Sequence, residues 1–533
     1  MKTILILGAG TMQEPAVRIA RRKGWRVILA DGNPHASARD LADQFECIDL
    51  KDRDGLLAFA RSTRERSGLE GVFTAGTDFS SSVAWIAENL GLPGISYSTA
   101  MRATDKCLMR EAFALAGVPS PLFSSWSGSG DPLVCLLPGM GFPLVVKPVD
   151  NMGARGVKRV EDSAQLAEAC RAALPLSRSS RVIIEEFMDG PEFSLDAIVD
   201  GGEATVCGVA DRLIRFPPFF VEMGHTIPTN AGAGIVGALE DVFLAGIRAI
   251  GIDNGAAKGD IKLTAKGPMV GEIAARLSGG YMSGWTFPLA SGVEVTEAAL
   301  NIAMGLPPGS LSPRLQRVCA ERALISIPGI VLGVRGAEEA RRVKGVEEIF
   351  LRVASGDTVV FPSNNVQKCG NVLAVAESRG EAETAASRAL GFLEIRLQPL
   401  VAATTDHLFQ AGVHDCFARL PPKLRAVIDA MQVSRRDPSF IDWEASIGIE
   451  APPGWDRCRE KDWHGMEFAE SARLACARAG GSILPVGGND DFQISALFWK
   501  AFVRGGHQGG VYLLDSIRAA ARRGALKEFL AGL

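Results

Sequence analysis

The first 95 or so residues alternate short apolar runs with helical stretches, a rhythm that few folds satisfy. Thr3–Leu7 is a short apolar strand, Gly8-Ala9-Gly10 turns it, Glu14–Lys23 has helical spacing, and Trp25–Ala30 is a second apolar strand ending at Asp31. Strands joined through a helix lie parallel, and parallel strands covered on both faces read as near-continuous apolar runs. The rhythm continues with a strand at Cys47–Leu50, a helix at Asp54–Glu65, a strand at Gly71–Ala75 leading into Gly76-Thr77-Asp78, and a helix at Ser81–Leu90. An α/β, doubly wound domain over residues 1–95 follows. Gly8 and Gly10 begin a dinucleotide fingerprint, and Asp31 stands near where its ribose-binding acid falls. Residue 13, however, is Gln where Gly or Ala is needed. The turn therefore reads chiefly as structural, or as a site for another ligand. The Gly8–Glu14 turn and Asp78 lie at strand ends facing one crevice, where both are candidates to touch substrate.

A second stretch, Leu144–Val160, has a different grammar. The apolar run Leu144-Val145-Val146 ends in Lys147-Pro148, a loop with Gly153, Arg155 and Gly156 follows, and a short apolar and basic run closes it. It reads as strand, mobile turn, strand. Glycines let backbone N–H groups approach an anion, and a lysine at a strand end can hold a phosphate charge. An ordinary surface hairpin has the same pattern, so the surroundings must decide. Upstream, Ser98-Thr99-Ala100 caps a helix containing Asp105-Lys106, Glu111–Gly117 is helical, and Ser124–Pro138, rich in Ser, Gly and Pro, is a loop. Downstream come a helix at Asp162–Ala173, strands at Arg181–Glu185 and Pro191–Asp200, a helix at Asp241–Ile250 and another at Val295–Met304. Lys258–Leu263 and Pro268–Ile273 form a hairpin joined at Ala265-Lys266-Gly267. From 311 to 400 a third α/β piece has strands at Ala320–Ile327, Glu347–Val353 and Val372–Ala376 and a helix at Glu381–Leu393. Residues 401–533 are expected to form a separate, mostly helical region, with runs at Leu424–Met431, Met466–Ala479 and Leu513–Phe529.

Composition excludes several function classes. A net charge of −4 does not suit a nucleic-acid or membrane-surface binder. No run of about 18 uncharged apolar residues spans a bilayer, and the apolar start Ile4–Leu7 is too short for a signal peptide. Ten scattered cysteines contain no CxxC pair, so they read as reduced and cytoplasmic, with neither a disulfide framework nor a zinc site.

The chemistry gathers at four places. Lys106 and Lys147 both stand where a basic group could reach a polyphosphate. Glu185-Glu186-Phe187-Met188 ends a strand, with Glu192 close behind. Asp260 and Glu272 lie on the two strands of the hairpin, which brings them side by side, and Arg276 follows Glu272 by four. Paired carboxylates on adjacent strands suit Mg²⁺, which takes carboxylate, phosphate and water oxygens. Each residue alone has a plain alternative: Lys106 as a solvated helix lysine, Glu185 as a surface charge, Asp260 as a partner of Lys258 or Lys262, Arg276 as a partner of Glu272.

Five motifs in order carry a resemblance: DK at 105–106, KPVDNMGARGV at 147–157, EEFMDGPEFS at 185–194, GDIKL at 259–263 and GEIAARLSGG at 271–280. From about residue 1 to 400 the chain resembles the ATP-grasp superfamily, especially its carboxylate–amine ligases, with the related carbamoyl-phosphate synthase and biotin carboxylase fold. The resemblance implies a pre-ATP-grasp domain at 1–95, an ATP-grasp domain at 96–310 and its C-terminal α/β part at 311–400. It implies that Lys106 and Lys147 contact ATP phosphates. The loop with Asn151, Gly153, Arg155 and Gly156 would fold over them. Backbone groups of Glu186 and Met188 would face the adenine with Glu185 beside it, and Glu192 would hold the ribose. Asp260 and Glu272 would bind Mg²⁺ or Mn²⁺, and Arg276 would stabilise charge on the transferring phosphoryl group or the acyl-phosphate. Many members carry Asn two residues after the second metal carboxylate; here that position is Ala274. The EIAAR form resembles a branch that ligates amino acids.

The expected reaction is therefore ATP-dependent coupling of a small-molecule carboxylate to an amine through an acyl-phosphate, releasing ADP and phosphate. Glu222 and His225, in PFFVEMGHTIPT, and Ser278 and Gly279 are acceptor-side candidates, with His225 positioning or deprotonating the amine. A bicarbonate-activating carboxylase or carbamoyl-phosphate-type enzyme is one alternative, although no biotin-attachment MKM and no glutaminase-like Cys is present. A non-catalytic nucleotide-binding protein is another. Nucleic acid and membrane are not expected partners, and a homodimer stays open. Residues 401–533 read as a structural or oligomerising module; Asp462-Trp463-His464, Pro485–Asp491 and Gly505–Gly510 are its distinctive runs.

Overall fold

The structure is a computed structural model that describes residues 1–410, 414–431, 447–484 and 492–533. The run Pro485–Asp491 lies outside the described residues. The chain divides into two compact units. The first is Met1–Glu321 with Ser363–Asn365 and Val375–Arg379, and the second is Arg322–Pro362, Val366–Ala374 and Gly380–Leu533.

The first unit begins with β1 (Thr3–Leu7), α1 (Glu14–Arg22), β2 (Arg26–Asp31), β3 (Gln44–Cys47), α2 (Arg53–Ser67), β4 (Leu69–Phe73) and α3 (Ser80–Leu90). Its strands form a parallel sheet in the order β3-β2-β1-β4. Strand side chains alternate between faces, and both faces of β1 are buried. Ile4 and Ile6 pack with Val17 of α1, whereas Leu5 and Leu7 pack with Leu56 and Ala60 of α2 and Ile86 of α3. The Gly8 turn is filled from within. The Gln13 amide donates to the Ala75 carbonyl at 2.6 Å, and a Cβ on Gly8 would lie 3.0 Å from Gln13 Cδ. Asp31 Oδ2 accepts from Ala9 N at 2.7 Å. Gln13 and Asp31 thus serve the turn itself.

Two helices follow, divided at Asp105 and not, as expected, between Lys106 and Glu111. Ser96 caps α4 (Tyr97–Thr104). Asp105 leaves helical geometry and its carboxylate accepts from Cys107 N and Leu108 N, opening α5 (Lys106–Ala116). The expected loop at 124–138 begins as β5 (Phe123–Trp126), which joins β6 (Leu144–Pro148), β7 (Lys158–Val160) and β8 (Val182–Glu186) in an antiparallel sheet ordered β5-β8-β6-β7. α6 (Ser163–Ala173) covers it, burying Leu166 and Cys170 against Leu144, Val146 and Ile184. Four residues with two serines gave β5 too weak an alternation to read.

A larger antiparallel sheet contains β9 (Glu192–Asp200), β10 (Glu203–Arg215), β11 (Val221–Ile227), β12 (Gly255–Thr264) and β13 (Gly267–Ala274) in the order β13-β12-β9-β10-β11. α7 (Ala233–Ile250) lies against it through Phe243 and Ile247. The expected hairpin is present, with Asp260 opposite Glu272. α8 (Phe287–Ser291) and α9 (Val295–Ala303) return the chain to the first sheet, where Ala299 and Ile302 pack with Phe73.

In the second unit, β15 (Gly329–Arg335) pairs with β17 (Thr358–Val359) and β19 (Glu394–Leu397), and β16 (Val346–Leu351) pairs with β18 (Gly370–Ala376); β14 (Val318–Leu324) leads into the unit. The region 401–533 is not separate from the preceding α/β piece, as the sequence had suggested. Its helix Phe492–Arg522 bends at Gly506 (φ 57°, ψ −150°). Gln508 on that helix donates to the Ile395 carbonyl at 2.9 Å, and Asp515 takes a two-pronged bond from Arg396 at 2.6 and 2.8 Å. Asp462-Trp463-His464 and Gly505–Gln508 line one small internal cavity of this unit. All ten cysteines are free thiols. No described helix is long and apolar enough to cross a membrane.

Candidate functional site

Asp105 sets the first basic group. Its carboxylate caps α5 and also meets Arg181, so Lys106 begins the helix buried, not solvated. The Lys106 backbone N–H donates to Val149 O at 3.0 Å, and its ammonium donates to Asn151 O at 2.8 Å and stands 3.8 Å from Glu272. One residue thereby ties the helix to the root of the glycine loop and to the hairpin.

One turn along α5, Arg110 meets Glu185. Its Nε donates to Glu185 Oε1 at 2.9 Å, and its Nη2 reaches Gly271 O at 2.6 Å. Lys147, on β6, holds the other oxygen of Glu185 at 2.5 Å. Glu185 is therefore a buried ionic centre and not a surface charge. Burial pushes its carboxyl up, but Arg110 and Lys147 outweigh that and hold it below the usual range. Burial lowers Lys147, and Glu185 offsets only part of this.

The expected flap is a loop between paired strands, with Leu144 opposite Val160 and Val146 opposite Lys158. Gly153 and Gly156 have φ of 70° and 72°, where glycine is favoured. Asn151 Nδ2 donates to Leu176 O, and Arg155 Nε donates to Met152 O at 3.0 Å. Asn365 latches the tip: its N–H donates to Gly153 O at 2.9 Å, and its Oδ1 accepts from Glu222 N at 2.8 Å.

Strand β8 ends in the segment expected at the adenine. Glu186 donates its N–H to Leu122 O, and its carboxylate accepts from Leu122 N at 3.1 Å. Phe187 lies under Arg159 and Lys262, at 4.3 and 5.3 Å from ring centroid to charge. The Met188 methyl reaches towards Gly271.

The hairpin carboxylates stand in a field of cations. Asp260 contacts Lys258, Arg212 at 3.0 Å and the Ser194 hydroxyl at 2.7 Å. Burial raises it, and Arg212 and Lys258 more than reverse this. Burial likewise raises Glu272, while Lys106 and Lys258 bring it down. Arg212 is the hub: Glu222 at 2.8 Å, Asp260 at 3.0 Å and Glu192 all converge on it. Among the described residues no cluster of three or more His, Cys, Asp or Glu could hold a metal by itself. Two ionised carboxylates from adjacent strands nevertheless fit a Mg²⁺ ion that draws its remaining oxygens from phosphate and water. The cations now beside them mark where positive charge is wanted. Ala274 faces Lys258 across the strand pair and offers no oxygen donor.

Arg276 donates through Nη1 to Leu277 O at 2.9 Å. The loop after it meets the end of the parallel sheet. Ala75 bridges Leu277, and Gly76 N donates to Leu277 O. A Cβ on Gly76 would lie 3.1 Å from Gly279 Cα, so this backbone approach needs glycine. Ser278 Oγ donates to the fully buried Asp196 at 2.5 Å. Burial pushes the Asp196 carboxyl up to about 6.

Two expectations are corrected. The His225 ring is wholly buried, with Nε2 at 2.9 Å from Thr286 Oγ1 and Nδ1 at 3.3 Å from Glu321, so it ties β11 to β14 and to the helical turn Met282–Thr286 and does not face an incoming amine. Asp78 is held by Arg178 and does not stand open to substrate. Sequence reading missed Arg110, Asp196, Arg212 and Asn365. Arg110 was findable, being four residues after Lys106 and hence on the same face. Arg212 lies in a strand that was not foreseen.

Three family signatures match in chain order: the ATP-grasp N-terminal domain at 17–94, the ATP-grasp domain at 140–284 and the L-amino acid ligase C-terminal domain 2 at 322–398. The chain belongs to the ATP-grasp superfamily. This ATP-grasp chain is 28% identical over 403 residues to an uncharacterised protein of Sinorhizobium fredii, covering 74% of the chain and 83% of that protein. It is 27% identical over 333 residues to human carnosine synthase 1, covering 58% of the chain but only 40% of that enzyme. Among solved structures it is similar to the L-amino acid ligase of Bacillus licheniformis, with a TM-score of 0.66 and 23% identity, covering 75% of this chain and 99% of that one.

Proposed function

We propose that the protein is an ATP-dependent ligase that phosphorylates a small-molecule carboxylate and joins it to an amine, acting in the cytoplasm with Mg²⁺ or Mn²⁺. The convergence of Lys106, Lys147, Asp260 and Glu272 through contacts they make with one another and with Glu185 and Arg212 carries this reading. The match to an L-amino acid ligase domain supports it over bicarbonate activation or nucleotide sensing.

In this reading Lys106 and Lys147 exchange a carbonyl and a carboxylate for phosphate oxygens. Asp260 and Glu272 hold the metal, which supplies charge neutralisation on the phosphates when bound. The Asn151–Gly156 loop closes and excludes water, because an acyl-phosphate hydrolyses readily. The carboxylate oxygen attacks the terminal phosphorus, ADP leaves, and Arg276 stabilises the charge on the phosphoryl oxygens. The amine then attacks the acyl carbon, loses a proton and expels phosphate. Backbone groups of Glu186 and Met188 receive the adenine and Glu192 the ribose. Ser278 and Gly279 border the acyl group.

ADP release measured with pooled amino acids and, separately, with bicarbonate tests the assignment. Amino-acid-dependent ADP is expected, and its loss in Lys147→Ala and Glu272→Ala proteins whose circular dichroism is unchanged. ADP formed only with bicarbonate, or wild-type rates in both variants, would overturn it.

A further inference from the structure

An amine loses a proton as it becomes an amide, and His225, the residue expected to take that proton, is enclosed between Thr286 and Glu321. β9 offers another acceptor. Residues two apart on a strand share a face, which places Glu192, Ser194 and Asp196 in one row. Glu192 meets Arg212, Ser194 donates to Asp260 at 2.7 Å, and Asp196 accepts from Ser278 Oγ at 2.5 Å. The row thus ends beside the loop that follows Arg276. Asp196 is fully buried, and its Oδ2 has no hydrogen-bond partner, although buried polar atoms are ordinarily paired. Lys258, opposite it on β12, and Arg276 favour its ionised form, but burial outweighs them and sets the carboxyl at about 6. Cys207 on β10 also lies near it and stays a neutral thiol, pushed up to about 12 by burial. A carboxylate poised near neutrality with an unused lone pair suits base catalysis. Ser278 completes the path. Among the described residues its hydroxyl donates to Asp196 alone, and a serine oxygen that donates one bond keeps lone pairs to accept another.

We propose that Ser278 and Asp196 form the proton relay of the amine-transfer step, with Ser278 touching the amine and Asp196 acting through it. The assignment rests on the ligase reading above. The uncharged amine attacks the acyl carbon with its lone pair, and the bond from that carbon to the phosphate oxygen breaks with its electron pair leaving on phosphate. One proton of the attacking nitrogen passes to Ser278 Oγ while the Ser278 hydroxyl proton passes to Asp196 Oδ1. The amide is left neutral and Ser278 is restored. Asp196 is a carboxylic acid until it returns the proton through Ser278 to water as the products leave.

Hydroxylamine separates the relay from the chemistry that precedes it, because it captures an acyl-phosphate as a hydroxamate at neutral pH without help from a protein base. Hydroxamate and amide formed from ATP, Mg²⁺ and pooled amino acids, with and without hydroxylamine, are measured for the full chain and for its Asp196→Asn, Ser278→Ala and double variants. The ratio of amide to hydroxamate is expected to fall at least about tenfold in each single variant, and no further in the double variant, since residues that act as a unit are not additive. A defect in folding or in phosphorylation lowers both products together and leaves the ratio unmoved. At saturating amino acids the wild-type kcat for amide formation is expected to fall about tenfold per pH unit below about 6, and this acid limb to vanish in Asp196→Asn. A ratio within about twofold of wild type in both single variants, or an acid limb that persists in Asp196→Asn, would overturn the relay and leave the ligase reading standing. A wild-type protein that forms neither hydroxamate nor amide would overturn both.

Discussion

Glu185 is a buried carboxylate at the end of β8. Its neighbours are two cations, Arg110 and Lys147, each taking a separate oxygen. Removing one member of a buried pair leaves the other charge uncompensated, which typically costs 3–5 kcal/mol. Glu185→Ala is therefore expected to lower unfolding free energy by about 3 kcal/mol in urea titrations, in addition to weakening ATP binding. Asp196 behaves in the opposite sense. Its carboxyl stands at about 6 in the folded chain against 3.8 ordinarily, so the folded state binds the proton more tightly than the unfolded one. Stability from this group falls as pH rises from about 4 to about 6 and stays reduced above that. Asp196→Asn keeps an acceptor for Ser278 and is expected to be more stable than wild type by about 1–3 kcal/mol at pH 8, with no such gain at pH 4. Turnover should fall, because the loop after Arg276 loses its ionic anchor. Neither Asp196 nor Arg212 was legible in the sequence. A charge inside an antiparallel strand announces itself only when its partners are known, and those partners lie on other strands.

At the scale of elements, the chemistry-bearing stretches were legible because each couples a backbone requirement to a side chain. Lys147 ends a strand that must pair, and Asp260 and Glu272 sit on a hairpin whose turn fixes which residues face each other. The strands between them, β10 and β11, went unread because half-buried antiparallel strands of mixed polarity leave little pattern. Two predictions belong here. Gly190 has φ of 135°, and a Cβ there would lie 2.0 Å from Leu263 O. Gly190→Ala must displace the backbone linking β8 to β9, and is expected to cost more than about 1 kcal/mol and to raise the KM for ATP severalfold. Asn365 holds the loop tip through Gly153 and aligns Glu222. Asn365→Pro removes the backbone N–H that Gly153 O accepts and is expected to loosen the loop, so that ADP release in the absence of amine rises relative to coupled turnover. An unchanged ratio would show that the latch is incidental.

For the whole molecule, the mixed α/β character was readable, since alternating strands and helices impose it. The packing of the C-terminal quarter was not, because helical runs say little about what they pack on. The long helix Phe492–Arg522 is bonded to β19 through Arg396–Asp515 and Gln508–Ile395. A chain ending at residue 400 would therefore lack a wall of its second unit. Such a truncation is expected to be insoluble or to lose cooperative unfolding, whereas a free-standing module would leave a stable remainder.

Phosphate that leaves from an acyl-phosphate carries one oxygen of the acid's carboxyl group. Ligation with ATP, Mg²⁺ and amino acids labelled with ¹⁸O in the carboxyl group, followed by mass spectrometry of the phosphate released, reads this route. One ¹⁸O atom in the phosphate for each amide bond formed is expected, with ADP as the nucleotide product. Unlabelled phosphate accompanying amide formation, or AMP and pyrophosphate in its place, would contradict it.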